Sequence, residues 1–171
     1  MKRAWILFGL AALLAAPAWA LELTPLQIGI AGTKAQLFPE TTKVMGLRLN
    51  VACSDNQDVV GLDLGLVSKA ERMDAIQLNL VNVVEAEFAG ISAGLFSQMG
   101  SVAGLQAGLF STVSHDLNGF QIGLFNVADT AMGIQFGLIN RAVTLRGIQI
   151  GLVNLIEEGP VTFFPILNAA F

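Results

Sequence analysis

His115 is the only histidine in the chain, and it stands beside Asp116 and within four residues of Ser111 and Ser114. A serine hydroxyl, an imidazole and a carboxylate are the parts of a hydrolytic triad, but a triad draws them from separated elements that meet in a pocket. Here all of them share one short turn, which reads as solvated linker. Asp55, Asp58 and Asp63, with Asn56, carry the oxygens that a calcium ion takes. They lack the central glycine and the terminal glutamate of the twelve-residue calcium loop, so they too read as turn residues. A single histidine and a single cysteine, Cys53, come with no zinc-ligand spacing. No Gly-x-Gly-x-x-Gly opens a helix, and no phosphate-loop lysine is present. These residues point to no catalytic group, no cofactor and no metal, and the chain is expected not to be an enzyme. What remains is a set of glutamines, Gln106, Gln121, Gln135 and Gln149, spaced 15, 14 and 14 residues apart. Displayed outside a stacked fold they would form a flat polar surface stripe suited to a periodic partner such as a polysaccharide, a repeated peptide or ice. The plainer reading is that they solubilise a sheet face and ladder with one another.

Those glutamines belong to a repeat that governs the architecture. Its last column reads Cys53, Ser68, Asn82, Ser97, Ser111, Asn126, Asn140, Asn154 and Asn168, in steps of 14 or 15 residues. Two residues earlier stands a branched aliphatic, as in Leu95, Leu109, Leu124 and Leu138, and three earlier mostly glycine, as in Gly94, Gly108, Gly123 and Gly137. Each unit opens on a small residue: Gly46, Gly61, Ala75, Gly90, Gly104, Gly119, Gly133 or Gly147. A worn copy stands at Pro25–Gly32. Within a unit Ile134, Phe136 and Leu138 alternate with Gln135 and Gly137, a period of two that specifies strand. Further apolar positions precede the opening glycines (Met73, Phe88, Val102, Leu117, Ala131, Leu145) and follow the Asn/Ser column (Ala70, Val84, Met99, Val113, Ala128, Ala142, Ile156). Each unit is thus a main strand plus a second short stretch that also buries something.

Two all-β architectures satisfy this pattern. In a parallel β-solenoid each unit is one coil, like stacks on like about 4.8 Å apart, glycines mark corners and the Asn/Ser column forms a ladder. In an antiparallel meander or an outer-membrane β-barrel each unit is one strand with a tight turn. The early alternation of 15 and 14 residues and the terminal Phe171 favour the barrel. The short uniform turns oppose it, as does the lack of Tyr and of any Trp beyond Trp19, because barrels carry aromatic girdles. The balance falls on the solenoid, with the meander or barrel as the alternative. On that reading the Leu124 and Leu138 column points inward, an aspartate there would unfold the coil by burying an unpaired charge, and Cys53 is a small buried substitute in the Asn/Ser column.

Residues 1–20 are expected to be a secretory signal: Lys2 and Arg3, an apolar run from Ala4 to Ala16, and an Ala18-Trp19-Ala20 cleavage site. Cleavage leaves seven basic against thirteen acidic residues, a net charge of about −6 that argues against nucleic acid. The expected organisation is an N-terminal strand and cap over 21–45, a repeat array over 46–160 and a C-terminal capping repeat over 161–171.

The units Gly61–Ser68 (Gly-Leu-Asp-Leu-Gly-Leu-Val-Ser) and Gly133–Asn140 (Gly-Ile-Gln-Phe-Gly-Leu-Ile-Asn) resemble the bacterial envelope surface-repeat proteins built from Gly-Leu-Gln-Ile-Gly-Leu-Val-Asn units. So do the lead-in Gln36–Pro39 with Gly46–Asn50 and the terminal Phe163–Asn168. The resemblance covers about Ala35 to Phe171. The chain departs from the pattern with Ala93 and Ala107 for Ile/Leu and with Asn50 and Asn79 for Gly. It implies an exported protein of the periplasm or outer-membrane surface, with no catalytic residues to carry over. The expected function is a structural scaffold or interaction surface, the alternative a small barrel with structural or pore function. The partner expected is an envelope polymer or another protein, with membrane association a further option.

Overall fold

The structure, a computed structural model, describes residues 22–171; the signal segment expected over residues 1–20 lies outside them. Among the described residues there is no helix. The elements are β1 (Leu23–Ala31), β2 (Lys43–Ala93), β3 (Phe96–Phe136), β4 (Ile139–Ile156) and β5 (Phe163–Ala170). The 51 residues of β2 would run about 170 Å if straight. Instead the chain winds on itself, each coil pairing in parallel with the next.

The register reproduces the repeat. Asn82 lies opposite Ser97 and Gly90 opposite Gly104; Asn126 lies opposite Asn140, Gly133 opposite Gly147 and Gln135 opposite Gln149. The worn copy is a genuine coil, since Leu26 pairs with Leu47 and Gln27 with Arg48. Parallel pairing of β1 with β2, β2 with β3 and β3 with β4 makes this a parallel β-solenoid. The meander and the outer-membrane barrel, both built on antiparallel neighbours, are excluded.

Two details differ from the sequence columns. Coil Gly46–Gly61 carries one residue more than coil Gly61–Ala75, so Ser54, fully buried, takes the inward place one coil before Ser68, and Cys53 is left half-buried. At the C-terminus the repeat breaks phase. β5 runs antiparallel to β4, placing Asn168 opposite Gln149 instead of Asn154 and Ile166 opposite Gly151. The Asn154 amide then closes on the Phe164 carbonyl at 3.1 Å.

Each coil has two walls. The narrow wall, Arg141–Arg146 in one coil, is built as expected for a soluble protein: Ala142 and Leu145 point inward, while Arg141 and Arg146 are exposed. Repeated up the stack, this wall supplies the apolar core of Ala70, Met73, Val84, Phe88, Met99, Val102, Val113, Leu117, Ala128, Ala131 and Ile156.

The wide wall, Gly133–Asn140 in the same coil, is inverted. Gln135 and Asn140 are wholly buried, while Phe136 is 54 % and Leu138 46 % exposed. Alternation along a strand sends either the amides or the bulky apolar side chains inward, never both. Ile134, Phe136, Leu138 and Ile139 would overfill a coil already holding Ala142 and Leu145. Gln135, Gly137 and Asn140 fit it. The Leu124 and Leu138 column therefore faces out, correcting the inward expectation. Aspartate at either position is expected to leave its carboxylate in solvent and the strand circular-dichroism signal intact at low protein concentration. Loss of that signal would return the column to the interior.

Candidate functional site

The glutamine column is not a surface stripe. Gln106, Gln121, Gln135 and Gln149 are wholly buried, and they bond to one another and, from Gln121 on, to the backbone carbonyl six residues later. Gln121 Nε2 donates to Gln106 Oε1 at 3.0 Å, Gln135 Nε2 to Gln121 Oε1 at 2.7 Å, and Gln149 Nε2 to Gln135 Oε1 at 2.8 Å. The second N–H of Gln149 reaches the Leu155 carbonyl at 3.1 Å. Burying an amide costs free energy only when its hydrogen bonds are lost, and stacking at the coil spacing supplies them as far as the last rung, where Gln149 Oε1 is left without a partner. The ladder expectation holds; exposure to a partner does not.

A second ladder runs the opposite way. Asn126 Nδ2 donates to Asn140 Oδ1 and Asn140 Nδ2 to Asn154 Oδ1, each at 2.8 Å. The Asn126 and Asn140 amides also reach the Phe136 and Ile150 carbonyls, both at 2.9 Å. Gly137 makes room for this: a Cβ there would lie 2.5 Å from Asn126 Nδ2 and 3.0 Å from Asn140 Oδ1. The glycine three residues before the asparagine is thus part of the ladder.

Lower in the stack the amide column holds a charge pair that the sequence reading did not single out. Arg48 and Asp63 occupy the glutamine position on consecutive coils, both fully buried, with Arg48 Nε 2.7 Å from Asp63 Oδ1. Arg48 also donates to the Lys69 carbonyl at 2.9 Å, to Asn56 Oδ1 at 3.5 Å and to the Ser68 hydroxyl. Asn50 Nδ2 donates to Asp63 Oδ1 at 2.7 Å and Asn79 Nδ2 to Oδ2 at 2.9 Å. The signal for this pair was present: opposite charges at one column position in successive repeats.

Burial pushes the Asp63 carboxyl upward, but the Arg48 charge and the hydrogen bonds from Arg48, Ser68 and Asn50 outweigh it and hold it below the ordinary aspartate value of 3.8. A carboxyl depressed by folding contributes stability that is present above its unfolded pKa and lost as pH falls through the folded one. The urea midpoint is therefore expected to fall on acidification below about pH 4, and the fall to shrink in R48Q/D63Q. An unchanged acid limb in that variant would assign the effect to other carboxylates.

The groups weighed for chemistry are dispersed. Ser111 turns inward while Ser114, His115 and Asp116 are exposed, so no triad assembles. Each acid of the calcium-like trio has its own cation: Asp55 with Lys69 at 3.4 Å, Asp58 with Arg72 at 2.9 Å and Asp63 with Arg48 at 2.7 Å. Among the described residues no three His, Cys, Asp or Glu side chains are grouped to hold a metal ion. A hollow of about 530 Å³ opens on the narrow wall beside Asp58, Arg72, Asp74, Glu87, Asp116 and Asn118. Neither His115 nor Cys53 lines it.

The feature that stands out is the outside of the wide wall. From Gly61 to Asn154 every outward position there is apolar: Leu62, Leu64, Leu66 and Val67 on one coil, Phe120, Ile122, Leu124 and Phe125 on another, Ile148, Ile150, Leu152 and Val153 on the last. Many of these side chains are exposed, Phe120 by 51 % and Leu152 by 65 %. Phe96, Phe110 and Phe125 stack face to face along one edge, with centroids 5.1 and 4.9 Å apart. Seven coils at about 4.8 Å by a wall about 23 Å wide give about 800 Å², above the roughly 300–600 Å² of the largest patch on a typical soluble monomer. Comparison with family models, with curated proteins and with solved structures finds no match to this chain.

Proposed function

We propose that this chain is a non-enzymatic, exported repeat protein of the bacterial envelope, in which the solenoid is the scaffold and the apolar wide wall the interaction surface. One observation carries the reading. The unit directs its polar side chains (Gln, Asn, Ser or Asp63) inward and an uncharged apolar surface outward on every coil from Gly61 to Asn154. Exposing so much apolar area costs solubility unless something covers it. The interior of the described coils is filled by amide ladders and apolar side chains. Lys2, Arg3, the apolar run and Ala18-Trp19-Ala20 support export, and the repeat units support the envelope through their resemblance to surface-repeat proteins.

The test is fractionation of cells expressing the full chain, with the N-terminus of the recovered protein sequenced. A chain beginning at Leu21 and found in periplasm or outer membrane is the expected result. A full-length chain confined to the cytoplasm would end the export reading.

A further inference from the structure

We infer that the apolar wide wall is the contact between two copies of this chain, packed face to face about a two-fold axis. The inference rests on the reading of that wall as an interaction surface and names its occupant. The wall presents about 800 Å², the area each partner contributes to a standard stable interface. It is uncharged across its centre and aromatic along one edge, as obligate homodimer contacts are. It is also flat and regular, and a surface of one chain meets its own copy by two-fold symmetry without leaving an open filament. Two such sheets stack about 10 Å apart, their side chains interdigitating as in a β-sandwich.

A lipid surface fits less well. Interfacial binders carry a Lys/Arg rim and Trp anchors beside the apolar face. Beyond Trp19 this chain has no Trp, it has no Tyr, and its acidic residues outnumber its basic ones. The narrow wall cannot substitute as the contact, since its outer positions include the charged Arg72, Asp74, Glu87 and Arg146.

The chain, expressed in full and purified without detergent, is expected to sediment at twice its own mass at micromolar concentration. L109D/L124D, which places two carboxylates at the middle of the wall, is expected to sediment as a monomer that keeps its strand spectrum. Should that variant fail to fold, single cysteines in a C53A background decide the matter. L109C is expected to join two chains through a short bis-maleimide, and D129C, on the opposite wall, is not. A wild-type monomer that stays dispersed in buffer would overturn both the dimer and the interaction surface. A monomer that floats with neutral phosphatidylcholine vesicles would overturn the dimer and leave the surface standing with lipid as its partner. Open-ended aggregates, or cross-linking of L109C and D129C to the same extent, would also overturn it.

Discussion

Replacing Asp63 by leucine is expected to cost about 3–5 kcal/mol, read as the shift of a urea denaturation curve at pH 7. Arg48 has 0 % exposure at its side chain, and a guanidinium cannot shed its proton to escape burial. Its bonds to Ser68, Asn56 and the Lys69 carbonyl solvate the charge without neutralising it. Arg48→Met is expected to fall in the same range or somewhat below, because Asp63, still held by Asn50 and Asn79, can take up a proton. The double variant R48Q/D63Q restores the residue that fills the column at Gln27 and Gln77 on either side. It is expected to lie within about 1 kcal/mol of the parent, since a buried pair is often replaceable as a pair. Additive losses in the double variant would show that the two residues act independently, and the ladder account of this column would then fail.

Gly133→Ala is the second large effect expected, a loss of at least about 3 kcal/mol. Gly133 has φ +135° at the corner of its coil, a backbone region open essentially to glycine alone. A Cβ there would drive into the Gly119 carbonyl of the coil below. The carbonyl cannot give way, because it belongs to the rigid stack. Ala75 occupies the same column without the left-handed backbone, so that corner is turned differently and Ala75→Gly should cost only about 0.5–1 kcal/mol. Thermal melts of the two variants compared with the parent provide the check. A G133A protein melting with the parent would mean that the corner rearranges freely.

The period, the strand assignment and the stacking of like on like could all be read from residue spacing. So could the narrow wall, because Met73, Phe88, Leu117 and Leu145 obey the ordinary rule that apolar side chains turn inward. The orientation of the wide wall could not be read the same way. Alternation shows that Gln135 and Phe136 lie on opposite sides of the sheet, but not which side is the interior. The rule of burying apolar residues chose wrongly because the wall's amides satisfy one another at the coil spacing, which removes the usual penalty for burial. The glycine three residues before Asn126, Asn140 and Asn154 was the overlooked sign. A side chain that lies in water needs no cleared space beside it, whereas Asn126 and Asn140 need the room that Gly137 leaves. Cys53 was misplaced for a local reason, one additional residue in its coil that moved Ser54 into the column.

The two amide ladders have a consequence for how the chain finds its native winding. Gln on Gln and Asn on Asn are satisfied by any neighbour of the same kind. A chain that looped out one coil and paired the next would lose almost nothing along Gln106–Gln149, so identical rungs carry no address. Arg48 against Asp63 does carry one. Pairing Arg48 with Gln77 would bury a guanidinium with no countercharge, while Asp63 would be stranded in the loop. The least uniform rung of the ladder is therefore the one that fixes which two coils meet, while the uniform rungs above it carry no such mark.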